Sequence, residues 1–348
     1  MAYATIDKGE SHFNAVTTTG TGSSQAITGV GFQPDWIWGK RRDSTGHPTM
    51  FDVIRGITKG LETNGTGQEF TSTDYYSSFD SDGFTIAAGS AGTGNGSSQT
   101  AVHWCWKAGG SGVSNSDGTE NSTVSANTAA GFSIVTYSGT TATDTYGHGL
   151  NSKPEMIIIK TRAGADRKWV VYHKNVGATK HLHLNETTTE ATDQYHFNNT
   201  EPTSGTFTLG DEGEVNKSGS TYVAYCFHSV KGYSQIGEYS GGNANADGPF
   251  VYLGFKPAFV LVHDSDNAEN WLMYDNERPG RNLTNNHLFA NTNDQETAST
   301  ANTMDLLSNG FKVRSTNNGL NRSGGTFLYM AFAEHPFVSS TGTPVTAR

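Results

Sequence analysis

Gly31-Phe32-Gln33-Pro34-Asp35-Trp36-Ile37-Trp38-Gly39-Lys40 is a turn closed by proline and followed by an apolar run, and two further versions of it occur in the chain. The second is Leu150-Asn151-Ser152-Lys153-Pro154-Glu155-Met156-Ile157-Ile158-Ile159-Lys160, and the third is Gly254-Phe255-Lys256-Pro257-Ala258-Phe259-Val260-Leu261-Val262-His263. Such a run reads as a short strand buried on both faces, entered through a proline where no ladder hydrogen bond is needed.

Other landmarks keep step with these prolines. Thr19-Gly20, Ser138-Gly139 and Ser240-Gly241 precede them by 14, 15 and 16 residues, and Phe51-Asp52, Tyr172-His173 and Tyr274-Asp275 follow by 17, 18 and 17. A Gly-Phe type strand comes next, at Gly83-Phe84, Phe207 and Gly310-Phe311. Each unit closes on Asn95-Gly96-Ser97, Asn216-Lys217-Ser218 or Asn321-Arg322-Ser323, followed by a strand ending on Trp106, Phe227 or Phe332. This is internal repetition with a period near a hundred residues, a comfortable size for a β-sandwich and too long for a solenoid.

The expected fold is therefore all-β, with three tandem related sandwich units of jelly-roll-like type. Unit one covers 1–110 with a short N-terminal arm, a Gly/Ser/Asn-rich linker covers 111–129, unit two covers 130–230, and unit three covers 231–348 with a short C-terminal tail. The linker composition predicts a variable angle for the first bead, whereas beads two and three pack closely. Helix has little support, the best candidate being Thr303 to Asn309.

Composition narrows the function. A net charge of -10 argues against a nucleic-acid partner, since phosphate contacts need Lys and Arg. Lys40-Arg41-Arg42, the one dense basic cluster, reads as a solvated loop end. No window is apolar enough to span a membrane, and Met1 to Phe13 lacks a secretory core, so the expectation is a protein that neither inserts in a membrane nor follows the usual export route.

Comparing copies also tests individual residues. Val102, Trp104 and Trp106 share a face by period two and answer to Val223, Tyr225, Phe227 and to Leu328, Met330, Phe332. That face is apolar throughout, so these tryptophans, with Trp36 and Trp38, read as core residues rather than a sugar-stacking platform. Cys105 and Cys226 stand at equivalent positions of two units and read as small buried thiols, suited to a reducing compartment. The three Asn-x-Ser sequences read as turns whose Asn tolerates left-handed angles. Asp80-Ser81-Asp82-Gly83 reads as a hairpin turn rather than a calcium loop.

His181-Leu182-His183 is the metal-like pattern, two histidines at i and i+2 on a strand, with His173 and His196 near in sequence. Surface histidines are the plainer reading, so neither a metal nor another cofactor is expected. A metal-stapled trimer through His181 and His183 stands as a third possibility. Enzyme motifs are missing, and no acid recurs in all three copies, since Asp52 and Asp275 are answered by His173. A non-enzymatic role follows. Recognition is sought where the copies differ, in the loops 41–49, 163–168 and 264–270, with Arg41, Arg42, Arg167, Asp264 and Asn267 as candidate binding residues.

Gly31-Phe32-Gln33-Pro34-Asp35-Trp36 together with Trp104-Cys105-Trp106-Lys107-Ala108-Gly109-Gly110 resembles a repeated module of structural proteins in marine tailed bacteriophages of the cyanophage type. The opening Met1-Ala2-Tyr3-Ala4-Thr5-Ile6-Asp7-Lys8, the segment Thr123 to Val135 and the ending Met330 to Phe337 carry the same likeness. His103 departs from the Ala usual in that family, a change that touches packing. The resemblance implies a virion component assembled in the host cytoplasm, a tail-fibre or receptor-binding protein or a head decoration. Its partners would be other virion proteins and a host cell-surface glycan, with a homotrimer as one arrangement. The rival expectation is a carbohydrate-binding or carbohydrate-cleaving sandwich protein.

Overall fold

The computed structural model describes residues 3–345 except 90, 91, 93, 243, 244 and 279–281. Met1 and Ala2 of the opening segment and the last three residues of the C-terminal tail lie outside the described residues. The chain is all-β, and every pairing between its strands is antiparallel.

One sheet order occurs three times. In each large sheet an opening strand (Phe13–Thr19, Phe132–Ser138, Ser234–Ser240) pairs with a closing strand (Thr100–Trp106, Thr221–Phe227, Thr326–Pro336). The closing strand then pairs with the Pro-led strand (Trp36–Arg41, Met156–Ala163, Phe255–Asp264), from which three shorter strands run outward. Register repeats too: Trp38 faces Trp104, Ile158 faces Tyr225, and Leu261 faces Met330. A small sheet covers one face of each large one, built on Gly83–Ile86, Thr206–Leu209 or Gly310–Val313.

Glycine is required where the opening strand ends. A Cβ on Gly20, Gly139 or Gly241 would stand 2.3, 2.4 or 2.0 Å from the carbonyl oxygen of Gly96, Lys217 or Arg322, inside the closing turn. The Asn of that turn is a clamp. Asn95, Asn216 and Asn321 are buried, and their side-chain amides donate to Ala87 O, Gly210 O and Ser315 O at 2.6, 3.0 and 3.0 Å. Their Oδ1 atoms accept from the backbone N–H of Thr21, Thr140 and Gly242. The left-handed backbone expected of these Asn residues is found three positions later, at Ser98, Gly219 and Gly324. Sequence reasoning located the turn and missed that its Asn is spent on satisfying buried carbonyls.

The Pro-led and closing strands are apolar on both faces, and the two faces go to different places. Ile37, Phe51 and Cys105 pack with Tyr76, Phe84 and Ile86 of the small sheet. The opposite face enters one core shared by all three large sheets, which gathers Trp36, Trp38, Trp104 and Trp106, then Phe132, Ile158, Tyr225 and Phe227, then Phe259, Met330 and Phe332. Trp36 stacks on Tyr225 with ring centroids 4.6 Å apart, and Trp106 meets Phe332 at 5.5 Å. The tryptophans are core residues, of the centre of the molecule rather than of a single sandwich.

Three expectations are thereby corrected. The first unit does not swing on a linker, because its aromatic face is buried against the other two. The segment 111–129 carries strands Val113–Asn115 and Ser122–Asn127, which extend the second large sheet. The chain leading into it is held by Asp35, whose carboxylate accepts from Ala108 N and Gly110 N, and by Ser125 of the segment, whose hydroxyl accepts from Gly109 N. Polar composition misled here because the strand lies near a sheet edge, where Ser and Thr are tolerated. Finally, Thr303 to Asn309 holds a hairpin strand, Met304–Leu307, turned by Ser308-Asn309, and the α-helices among the described residues are single turns at Gln194–Phe197, Gly213–Asn216 and Asn318–Asn321. Among the described residues no helix is long and apolar enough to cross a membrane.

The ends of the chain meet on the third unit. Thr5 N donates to Lys231 O, and Asp7 accepts from the Ser340 backbone and hydroxyl.

Candidate functional site

The joints between units recur in cyclic order. Backbone N–H groups of Glu69, Glu190 and Glu296 donate to the carbonyls of Arg162, Ser265 and Arg42, so unit one meets unit two, two meets three, and three meets one. A closed ring results, and each of the loops 41–49, 163–168 and 264–270 takes part in one of its joints, through Gly46 with Asn293, Arg167 with Thr66 and Ser265 with Glu190.

Two joints carry a buried Asp–Arg ion network, and the third keeps only its glutamate, Glu190, paired with Lys180. At the first, buried Arg55 pairs with Asp52 at 2.5 Å, and Asp52 also accepts from the Tyr225 hydroxyl of unit two at 2.8 Å. Burial would lower the Arg55 pKa, but Asp52, Tyr225 and Glu69 outweigh it and keep the guanidinium charged. At the joint of units three and one, Arg278 pairs with Asp275 at 2.7 Å, and Asp275 accepts from Trp104 Nε1 at 2.9 Å. Glu69 is held by Arg55 and Arg162, and Glu296 by Arg278 and Arg42. At the joint of units two and three the residues corresponding to the Asp, the Arg, the Arg across the joint and the proton donor are His173, Val176, Ser265 and Met330. Met330 has no proton to offer, so an Asp at position 173 would be a buried charge lacking its donor, and the Asp, its Arg and the donor across the joint are exchanged together while the Glu stays. Asp52 and Asp275 hold joints, which is why no acid recurs at that position.

The basic cluster is part of the same machinery. Lys40 is buried, not solvated, and donates to Gly46 O and, across the joint, to Asn293 O at 2.7 and 3.2 Å. Lys160 does the same with Thr66 O and Arg167 O. Desolvation pulls both ammonium groups down to a pKa of about 8.

The loop residues singled out from sequence are largely occupied. Arg42 makes a two-point contact with Glu296 at 2.8 and 3.1 Å. Arg41 lies on Asp43, Asn267 on Glu269, and buried Asp264 accepts two hydrogen bonds from Arg322. Arg167 donates its backbone N–H to Thr66 O across the first joint. Arg42, Arg167 and Asp264 belong to different units, and no side-chain contact joins them into a single cleft.

His181 and His183, by contrast, are not surface residues. They lie on strand Lys180–His183, point the same way, and meet His196 from the turn Gln194–Phe197. All three are buried, each offering a ring nitrogen within 4.8 Å of the others. Glu214, from the turn Gly213–Asn216, places Oε2 3.0 Å from His183 Nε2 and 3.2 Å from His196 Nε2. Burial would raise the Glu214 pKa, but these histidines outweigh it and hold the carboxyl well below its usual range. His181 is lowered to about 3 by desolvation and by the two neighbouring histidines. The His-x-His pattern was legible in sequence; Glu214, thirty-one residues from His183, was not.

A second concavity, about 600 Å³, lies where the chain ends meet, lined among others by Tyr3, Tyr252, Lys174, Gln235 and Phe337. Tyr3 and Tyr252 are exposed beside it. A family model described as a domain of unknown function (DUF7483) matches residues 8–336, a single match running through all three units. No curated protein and no solved structure matches the chain.

Proposed function

The chain belongs to the DUF7483 family, and on that premise we propose that it is a non-enzymatic surface component of a tailed-phage virion. Its role is receptor binding or head decoration, carried out by a rigid ring that presents three unlike loops. The observation that carries this reading is the closed cycle of joints, in which conserved geometry supports loops of different sequence. The buried pairs Arg55–Asp52 and Arg278–Asp275 are committed to those joints, as suits a scaffold. Both cysteines are buried and free, in keeping with assembly in a reducing host cytoplasm. Closure within one chain favours a monomeric ring over a homotrimer, since the joint edges already have partners. Proteomics of purified particles with cryo-EM localisation tests the proposal. Density for the ring on the particle exterior is expected, and absence from the virion overturns it.

The groove beside Tyr3 and Tyr252 favours glycan binding as a second reading, because exposed rings flanking a concavity of mixed polar and apolar lining suit a sugar's apolar face. A glycan array with wild type and Tyr252→Ala separates the readings. Saturable binding lost in the variant makes the ring a receptor-binding module, and turnover of a polysaccharide overturns the non-enzymatic assignment.

A further inference from the structure

We propose that His181, His183, His196 and Glu214 form a closed site for one divalent d-block cation, with zinc as the occupant the donor set suits best.

The argument rests on donors and acceptors. A neutral imidazole has one N–H to give and one lone pair to receive. His196 has a carboxylate oxygen at each ring nitrogen, Asp193 Oδ2 at 3.0 Å from Nδ1 and Glu214 Oε2 at 3.2 Å from Nε2. His183 Nε2 lies 3.0 Å from the same Glu214 oxygen, while its Nδ1 comes no nearer than 3.5 Å to Glu186. With its Nδ1 proton given to Asp193, the Nε2 lone pair of His196 faces the Glu214 carboxylate unless something positive lies between. The third ring, His181, stacks on His196 with centroids 3.8 Å apart, and its buried Nδ1 has no hydrogen-bond partner. An imidazolium at His196 would relieve that conflict only by setting a positive charge against the His181 ring stacked on it. A single cation among the nitrogens and Glu214 relieves the conflict and gives His181 a partner.

Geometry and donor chemistry agree with that. Zinc bonds to nitrogen and oxygen of about 2.0–2.2 Å set neighbouring donors about 3.3 Å apart in a tetrahedron. The two Nε2–Oε2 separations, 3.0 and 3.2 Å, already have that edge length. Three imidazoles and one carboxylate complete four-coordination with no open position, the pattern of a structural site, and magnesium or calcium would demand more oxygen. Asp193 on His196 Nδ1 is the outer carboxylate that fixes the tautomer of a ligating histidine.

The fold itself has no need of this polar cluster. At the positions of His181 and His183 the first unit has Gly60 and Glu62, with Phe70 packed over Gly60, and the third has His287 and Phe289. Glu214 is answered in the third unit by Gly319. The four residues occur together in unit two alone. Occupancy would tie strand Lys180–His183 to both single-turn helices, beside the joint where Trp271 Nε1 donates to His183 O at 3.0 Å. That joint is the one lacking the buried Asp–Arg ion network.

The test uses the full chain without a histidine tag, stripped with chelator and titrated separately with zinc and cobalt(II). Expected are about one tightly held equivalent per chain and intense tetrahedral-type visible bands from cobalt that zinc displaces. Asp193→Asn should weaken affinity about 10–100-fold, and His196→Ala should abolish the cobalt bands. His47→Ala, at an exposed histidine outside the cluster, should leave both readouts unchanged. Binding of less than about a tenth of an equivalent, octahedral cobalt spectra, or affinity unaltered in His196→Ala would each overturn the proposal. Should His196→Ala not fold, wild-type stoichiometry, the cobalt spectrum and Asp193→Asn still decide.

Discussion

Replacing Arg55 by Leu would strike the whole ring, although the residue belongs to one unit. The guanidinium reaches Asp52 at 2.5 Å, Met50 O at 3.0 Å, Lys59 O at 3.0 Å, Glu69 at 3.3 Å and Tyr225 Oη at 3.2 Å. Without it Asp52 stays fully buried, keeping only the Ile54 and Arg55 amides and the Tyr225 hydroxyl. Removing one partner of a buried pair costs about 3–5 kcal/mol, because the remaining charge is uncompensated. Replacing Asp52 by Leu and Tyr225 by Phe as well should recover most of that loss, since an apolar joint of similar volume is close to neutral. Guanidinium chloride unfolding, followed by tryptophan fluorescence and by far-UV circular dichroism, reads the effect. A shared core predicts coincident curves by both probes in wild type and variant, with the midpoint lowered. Non-coincident curves, with only part of the amplitude shifted, or a loss below about 1 kcal/mol, would refute the coupling of the three units through this joint.

Acid should destabilise the protein well above the carboxylate range. Desolvation lowers His103 and His173 to about 3 and His263 to about 4, so these rings stay neutral when folded and take up protons near pH 6.5 when unfolded. Their stability contribution is complete above that pH and is lost as pH falls toward the folded values, at about 1.4 kcal/mol per unit for each ring; denaturation midpoints equal at pH 7 and pH 5 would contradict this. Trp104→Phe should cost about 1–3 kcal/mol more than Trp36→Phe, because Trp104 Nε1 donates to buried Asp275 while Trp36 Nε1 has no partner; equal melting shifts would remove the assigned role of that bond. Burial raises the Cys105 and Cys226 thiols far above their usual range, so a thiol reagent should label neither in the native state and both after unfolding. Fast native labelling would show the shared core to be open.

Period and repetition determined a good deal by themselves. The Pro-led strand, its apolar faces, the closing turn and the all-β class follow from alternation and from three copies, because a strand's side-chain period is local and a buried face must be apolar in every copy. Comparison of copies also took Trp36 and Trp104 out of the class of ligand-stacking residues, since their counterparts are Met156 and Met330. What burial on both faces could not tell was where the second face goes. A sheet with two apolar faces needs two partners, and whether the second is a sister sheet in the same chain or another molecule depends on contacts between residues more than a hundred positions apart, such as Trp36 with Tyr225. For the same reason the polar stretch after Gly110 looked like a linker, and Lys40-Arg41-Arg42 looked like a solvated loop end. Each is an edge strand or a joint partner only once the ring is closed. His181 and His183 announced a shared direction through their spacing, but the carboxylate and the third ring that make them a candidate site arrive from two separate turns, and only the tertiary structure brings those turns to the strand.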